Sequence, residues 1–184
     1  MTLKLKHPFK LIVAGPSSCG KSTFVIRLLE CREQLCDIVF ENIVWCHSEH
    51  NAQHNLKSLS FMKRVPEFEN PENIPTLIAL DDLMDTAYSA KVSQLFTKGS
   101  HHRNISLVLI TQNLFHQGPP SRDIPLNSKY IVVFKNQRIK TQIVHLARQF
   151  YPENISSFHE TYLEVCKDPH TYIFLDLTNR LPIF

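Results

Sequence analysis

Eight residues near the start of the chain run Gly15-Pro16-Ser17-Ser18-Cys19-Gly20-Lys21-Ser22. Their spacing, G-x-x-x-x-G-K-[ST], suits a loop that turns successive backbone N–H groups toward nucleotide phosphates beside a helix N-terminus. Glycine at Gly15 and Gly20 permits the backbone angles and the close approach. Lys21 reaches the β- and γ-phosphates, and the Ser22 hydroxyl binds Mg²⁺. Pro16, Ser17, Ser18, Cys19 and Thr23 complete the expected nucleotide-contacting set. Cys19, inside the loop, is also a candidate for oxidation sensitivity.

A phosphate loop of this kind needs a metal-side carboxylate at the end of another buried strand. Thr76-Leu77-Ile78-Ala79-Leu80-Asp81-Asp82 supplies one. Asp81 is expected to hold Mg²⁺ through water. Asp82 sits where the additional-acid branch of P-loop ATPases places a catalytic glutamate, and would polarise the attacking water; the alternative is that it caps the next helix. The apolar run Ile105–Ile110 ends in Thr111-Gln112-Asn113, which puts hydrogen-bonding groups at the ligand-facing end of a strand. Gln112 or Asn113 is then placed to sense the γ-phosphate. Arg103 lies in the turn before that strand and is a candidate to stabilise transition-state charge across a subunit boundary, with Arg122 and Arg138 as rivals.

These residues must be carried by alternating strands and helices. Phe9–Ala14 reads as a buried strand, and Lys21–Cys36 as the helix after the loop. Further strands are expected within Ile38–Cys46 and at Thr76–Leu80, Ile105–Ile110, Tyr130–Phe134 and Thr171–Leu177. Helical spacing marks Thr86–Lys98, the stretch from Ile139 to Phe150, and that from Ile155 to Cys166; Gln53–Lys63 is also read as helical. Continuous Ile/Val/Leu strands with helices between them imply a mostly parallel sheet covered on both faces. The expected class is α/β, a single P-loop NTPase domain of the additional-strand type over residues 1–184.

Composition removes other classes. The chain has 184 residues, 43% of them hydrophobic, enough to bury a core without disulfides. No apolar run approaches the roughly 20 residues of a membrane span, and Met1–Lys10 lacks the apolar stretch of a signal peptide. Five irregularly spaced cysteines suggest a reducing compartment. Cys46, His47, His50 and His54 lack the second knuckle of a zinc site and are read as a polar loop after the second strand. The charge is uneven: residues 86–152 carry a net +8, with Asp123 their only acid, and the rest of the chain carries −5. Such a block suits a polyanionic partner, or a solvated surface balanced in space by other segments.

The segments HPFKLIVAGPSSCGKSTF, IALDDLMD and HHRNISLVLITQNLFHQG, then Arg122, Leu126-Asn127, Tyr130–Asn136 and QIVHLARQFYP, resemble the poxvirus-type genome-packaging ATPases of the FtsK–HerA superfamily. The branch encoded by Polinton/Maverick elements and adintovirus-like viruses is the nearest. The similarity runs from about His7 to Phe174, with the motifs in order, although Lys135-Asn136-Gln137-Arg138-Ile139 departs from the family's Pro and Asp around that arginine. The resemblance implies a homo-oligomeric ring that hydrolyses ATP with Mg²⁺ and pushes double-stranded DNA into a capsid. It carries over Gly15, Gly20, Lys21 and Ser22 as nucleotide ligands, Asp81 and Asp82 as the acids, and Gln112 as the sensor. Arg103 matches the family's basic residue before the sensor strand. Sequence-independent DNA contacts are expected from Arg122, Lys135, Arg138 and Lys140. A capsid or portal-like partner, no membrane, and an intracellular location (virus factory, nucleus or cytoplasm, with virion association as an option) follow from the same resemblance. Two other readings stay open: a P-loop small-molecule kinase, and a nucleotide-gated assembly protein with little turnover.

Overall fold

Apolar residues on successive positions of a strand must find a core on each side of the sheet. The central strand β1 (Lys10–Ala14) does so: Ile12 and Ala14 face one core, Leu11 and Val13 the other. In the computed structural model, residues 4–47, 59–62, 70, 72–81, 95–96, 104–114, 124–136 and 140–178 are described. After β1 come helices α1 (Lys21–Glu30) and α2 (Arg32–Leu35), then β2 (Asn42–His47), β3 (Leu59–Met62), β4 (Thr76–Asp81), β5 (Ile105–Thr111) and β6 (Tyr130–Phe134). Helices α3 (Lys140–Phe150) and α4 (Ile155–Val165) and strand β7 (Tyr172–Asp176) follow.

The seven strands order as β3-β2-β4-β5-β1-β6-β7. All neighbours are parallel except β6 and β7, so the sheet is mostly parallel, as the apolar runs imply. Strand β5 lies between β1 and β4, which is the additional-strand arrangement of P-loop NTPases. Val25, Leu28 and Leu29 of α1 cover one face, and Ile143, Leu146, Ala147, Phe158 and Tyr162 of α3 and α4 cover the other.

Three expectations change. The single helix read over Lys21–Cys36 breaks at Cys31, and Leu35 is left exposed. Cys31 caps α1, its N–H donating to the Arg27 carbonyl at 3.0 Å; beyond α2, Leu5 N–H donates to the Leu35 carbonyl at 2.7 Å and Leu5 bridges Cys36 in parallel, where Cys36 is extended. The helix read over Gln53–Lys63 is replaced, in its described part, by β3, whose Leu59–Met62 pairs with Ile43–Cys46. Cys46 and His47 are buried strand residues rather than a loop, with His50 and His54 outside the described residues. The helix expected at Thr86–Lys98 also lies outside them, apart from the buried Leu95 and Phe96. All five cysteines are free thiols.

Trp45 of β2 has no exposed surface and packs in the same core as Leu77 and Ala79. Trp45→Ala is expected to cost about 3–5 kcal/mol through lost burial and the cavity left behind. Urea unfolding checks this: the midpoint should fall while the slope with denaturant stays unchanged.

Candidate nucleotide-binding site

Parallel register brings the chemistry to one edge of the sheet. Ala14 pairs with Thr111 and Val133, Ile110 pairs with Asp81, and Asp81 pairs with His47. The carboxyl ends of β1, β4, β5 and β6 therefore converge, and the phosphate loop leaves β1 at that edge. Its first residue is pinned there, since Gly15 N–H donates to the Thr111 carbonyl at 3.2 Å.

Glycine is required at both conserved-type positions of the loop pattern for different reasons. A Cβ on Gly15 would stand 2.7 Å from Phe134 Cβ and 2.8 Å from Cys19 Sγ. Gly20 has room for a Cβ but sits at φ 105°, a left-handed conformation that disfavours other residues. Ser18 is also left-handed, at φ 61°. The loop thus curls over itself before α1 begins, and Phe24 N–H makes the first helical bond to Gly20 at 2.8 Å. The N–H groups of Lys21, Ser22 and Thr23 precede any intrahelical partner. No acidic residue occupies that first turn, so its positive end suits an anion.

Lys21 Nζ donates to the carbonyls of Gly15 and Pro16, both at 2.8 Å. Two of its three N–H donors thereby brace the loop. Ser22 Oγ lies 3.4 Å from Asp81 Oδ2, reaching past β5 to the end of β4. Mg²⁺ takes hard oxygen ligands and keeps several waters. The Ser22 hydroxyl and the Asp81 carboxylate are two such donors at the mouth of the loop, and Asp81 would reach the ion through water. Gln112 follows Thr111 at the same edge and is half-buried. Burial pushes the Cys19 thiol up, with the Lys21 ammonium opposing.

Asp82, Arg103, Arg122 and Arg138 lie outside the described residues. Lys140 opens α3. Lys135 follows β6 and donates to the Lys167 carbonyl, which ties the sheet edge to the turn before β7. The same turn brings in a residue that motif reading does not reach. His170, left-handed at φ 62°, sets Nδ1 3.0 Å from the Cys19 carbonyl; because that oxygen only accepts, Nδ1 carries the proton. No spacing rule links residues 19 and 170. Only the antiparallel return of β7 does.

The strand order and the loop-to-helix geometry define the fold of P-loop NTPases. The structure matches the genome packaging NTPase B204 of Sulfolobus turreted icosahedral virus 2, solved with AMPPCP, over 96% of this chain and 98% of that one, with 12% identity and a TM-score of 0.61. It also matches the pCW3 conjugation coupling protein TcpA, solved with ATPγS, at 12% identity and TM-score 0.54, over 91% of this chain and 57% of TcpA. The cytoplasmic domain of the Thermomonospora curvata type VII secretion ATPase EccC matches at 10% identity and TM-score 0.56, over 92% of this chain and 24% of that one. No protein-family model and no curated protein matches the chain. At these identities the likeness is one of fold. Among the described residues, no helix is long and apolar enough to cross a membrane.

Gly15→Ala tests the packing of the loop. Contacts of 2.7 and 2.8 Å cannot persist, so the loop must shift away from Phe134. Nucleotide affinity, measured by calorimetric titration, is expected to fall at least about 10-fold, with a loss of stability of about 1–3 kcal/mol from overpacking.

Proposed function

We propose that this chain is an ATP-hydrolysing subunit of a ring-shaped motor of the FtsK–HerA kind, which translocates double-stranded DNA into a capsid. The poxvirus/Polinton-type packaging ATPases are the lineage we assign it to. The observation that carries the reading is the Ser22 hydroxyl set 3.4 Å from the Asp81 carboxylate at the mouth of the phosphate loop. Alignment along nearly the whole length of a genome packaging NTPase supports it.

In this reading the loop amides and the first turn of α1 hold the triphosphate, and Lys21 turns its remaining donor to the outer phosphates. Ser22 and Asp81 hold Mg²⁺, which neutralises charge on the phosphoryl oxygens when bound. Asp82, adjacent to Asp81, orients and polarises the water that attacks the γ-phosphorus, releasing ADP and phosphate. Gln112, at the end of β5 between the loop strand β1 and the Asp81 strand β4, senses whether the γ-phosphate is present. Arg103 acts in trans in the ring, with Arg122 and Arg138 as the alternatives. The basic block supplies phosphate contacts to DNA through Arg122, Lys135, Arg138 and Lys140, and a capsid or portal-like protein anchors the ring inside the infected cell.

The likeness to a type VII secretion ATPase favours a second reading, a motor acting on polypeptide. The +8 charge of residues 86–152 favours the DNA substrate instead.

ATP turnover of the purified chain, with and without double-stranded DNA, tests the proposal. DNA-stimulated turnover is expected, falling at least about 100-fold in Lys21→Ala and in Asp82→Asn, with Asp82→Asn still binding ATP. Turnover indifferent to DNA and raised by polypeptide would replace the DNA motor with the second reading. Phosphate transfer to a small acceptor would replace both with a kinase.

DNA affinity across a salt series gives an independent check. Neutralising Lys135, Arg138 and Lys140 together should flatten the slope of log K against log salt by about 2.7, from three lost phosphate contacts at about 0.9 each. ATP affinity should be unchanged.

A further inference from the structure

A cleft of about 890 Å³ opens from the phosphate loop and runs along α1 toward the β6–β7 edge of the sheet. Its position relative to β1 matters. Ser22 and Asp81 mark where the γ-phosphate and metal belong, on the β5–β4 side of β1. A triphosphate lying across the loop must then point its nucleoside the other way, over β6 and β7. The cleft occupies that side.

Its wall near the loop is aromatic. Tyr172, the first residue of β7, keeps 40% of its surface exposed. It is braced by Phe24 of α1, edge-on with centroids 5.0 Å apart, and by Phe134 of β6 at 5.1 Å. The same cleft is lined by the Ser18, Ser22 and Thr23 hydroxyls, the Lys21 ammonium, the Arg27 guanidinium and the His170 imidazole. None of the described residues lining the cleft is acidic. The exposed aromatic face is a platform on which a base can stack.

We infer that the cleft between α1 and β7 receives the base and ribose of the nucleotide and that Tyr172 is the residue on which the base stacks. This rests on the phosphate-loop reading above and specifies where that site holds the nucleoside. Arg27, His170, Ser18 and Thr23 line the same cleft.

Calorimetric titration of the full chain with ATP, GTP and inorganic tripolyphosphate separates the two levels. Wild type is expected to bind both ATP and GTP at least about 10-fold more tightly than tripolyphosphate. Tyr172→Ala should weaken both at least about 10-fold and leave tripolyphosphate within about 2-fold, and Tyr172→Phe, which keeps the ring, should restore both. An equal loss of tripolyphosphate in Tyr172→Ala, or unchanged ATP affinity in that variant, would overturn the inference while leaving the phosphate-loop reading standing. If wild type bound neither tripolyphosphate nor nucleotide, or Lys21→Ala bound all three as wild type does, the underlying reading would fall as well.

Discussion

The hydrogen bond from Gly15 N–H to the Thr111 carbonyl fixes where the chain stops being a strand and becomes a phosphate loop. It continues the parallel ladder of β1 and β5 by one step beyond the Ala14–Thr111 pair, and it does so at a residue with no side chain. Phe134 and Cys19 fill the space where a Cβ would be. The loop is therefore held against the sheet by the register of β1 with both neighbours. Every distance in the site inherits that register.

Placing β5 between β1 and β4 sets a geometric task. Adjacent strands lie about 4.8 Å apart, so Asp81 stands roughly 9–10 Å across the sheet from the end of β1. The loop and the first turn of α1 must lean over β5 to bring Ser22 to Asp81, and the left-handed residues Ser18 and Gly20 provide that curl. Leaning one way opens the other side. The flank of α1 facing β6 and β7 is left with a cleft rather than a packed seam, although Val25, Leu28 and Leu29 still bury into the sheet. The Ser22–Asp81 contact and the cleft thus lie on opposite flanks of the helix.

Much of this was legible in the residues, and the failures have physical causes. Fully buried parallel strands read as continuous apolar runs, so β1, β4, β5 and β6 are located by sequence within a residue at either end. The turn from β1 into α1 is legible because its backbone forces glycine at Gly15 and Gly20. The edge strand β3 is short, and its LSFM carries no long alternation; pairing with β2 decides its conformation. The helical stretch ends at Cys36 against Leu5, which lies 31 residues away in sequence. Asp82 is identifiable only by its place after Asp81, so its role stands on adjacency in sequence and not on geometry.

The direction of β7 is the least visible feature and among the most consequential. A parallel strand delivers its end to the ligand edge, but an antiparallel one delivers its beginning and the turn that leads into it. Because β7 pairs antiparallel with β6, Tyr172 sits opposite Phe134, and the residues just before it arrive beside the loop. His170 then meets the Cys19 carbonyl, and Lys135 meets the Lys167 carbonyl. Tyr162 of α4 fixes the same corner, its hydroxyl accepting from Asn136 N–H at 3.0 Å and donating to the Phe134 carbonyl at 3.3 Å; burial pushes that phenol up to about 12, so it remains protonated and keeps donating. Phe134 in turn is the side chain against which Gly15 packs. A segment near residue 170 thereby shapes a loop near residue 20, through one reversed strand at the edge of an otherwise parallel sheet.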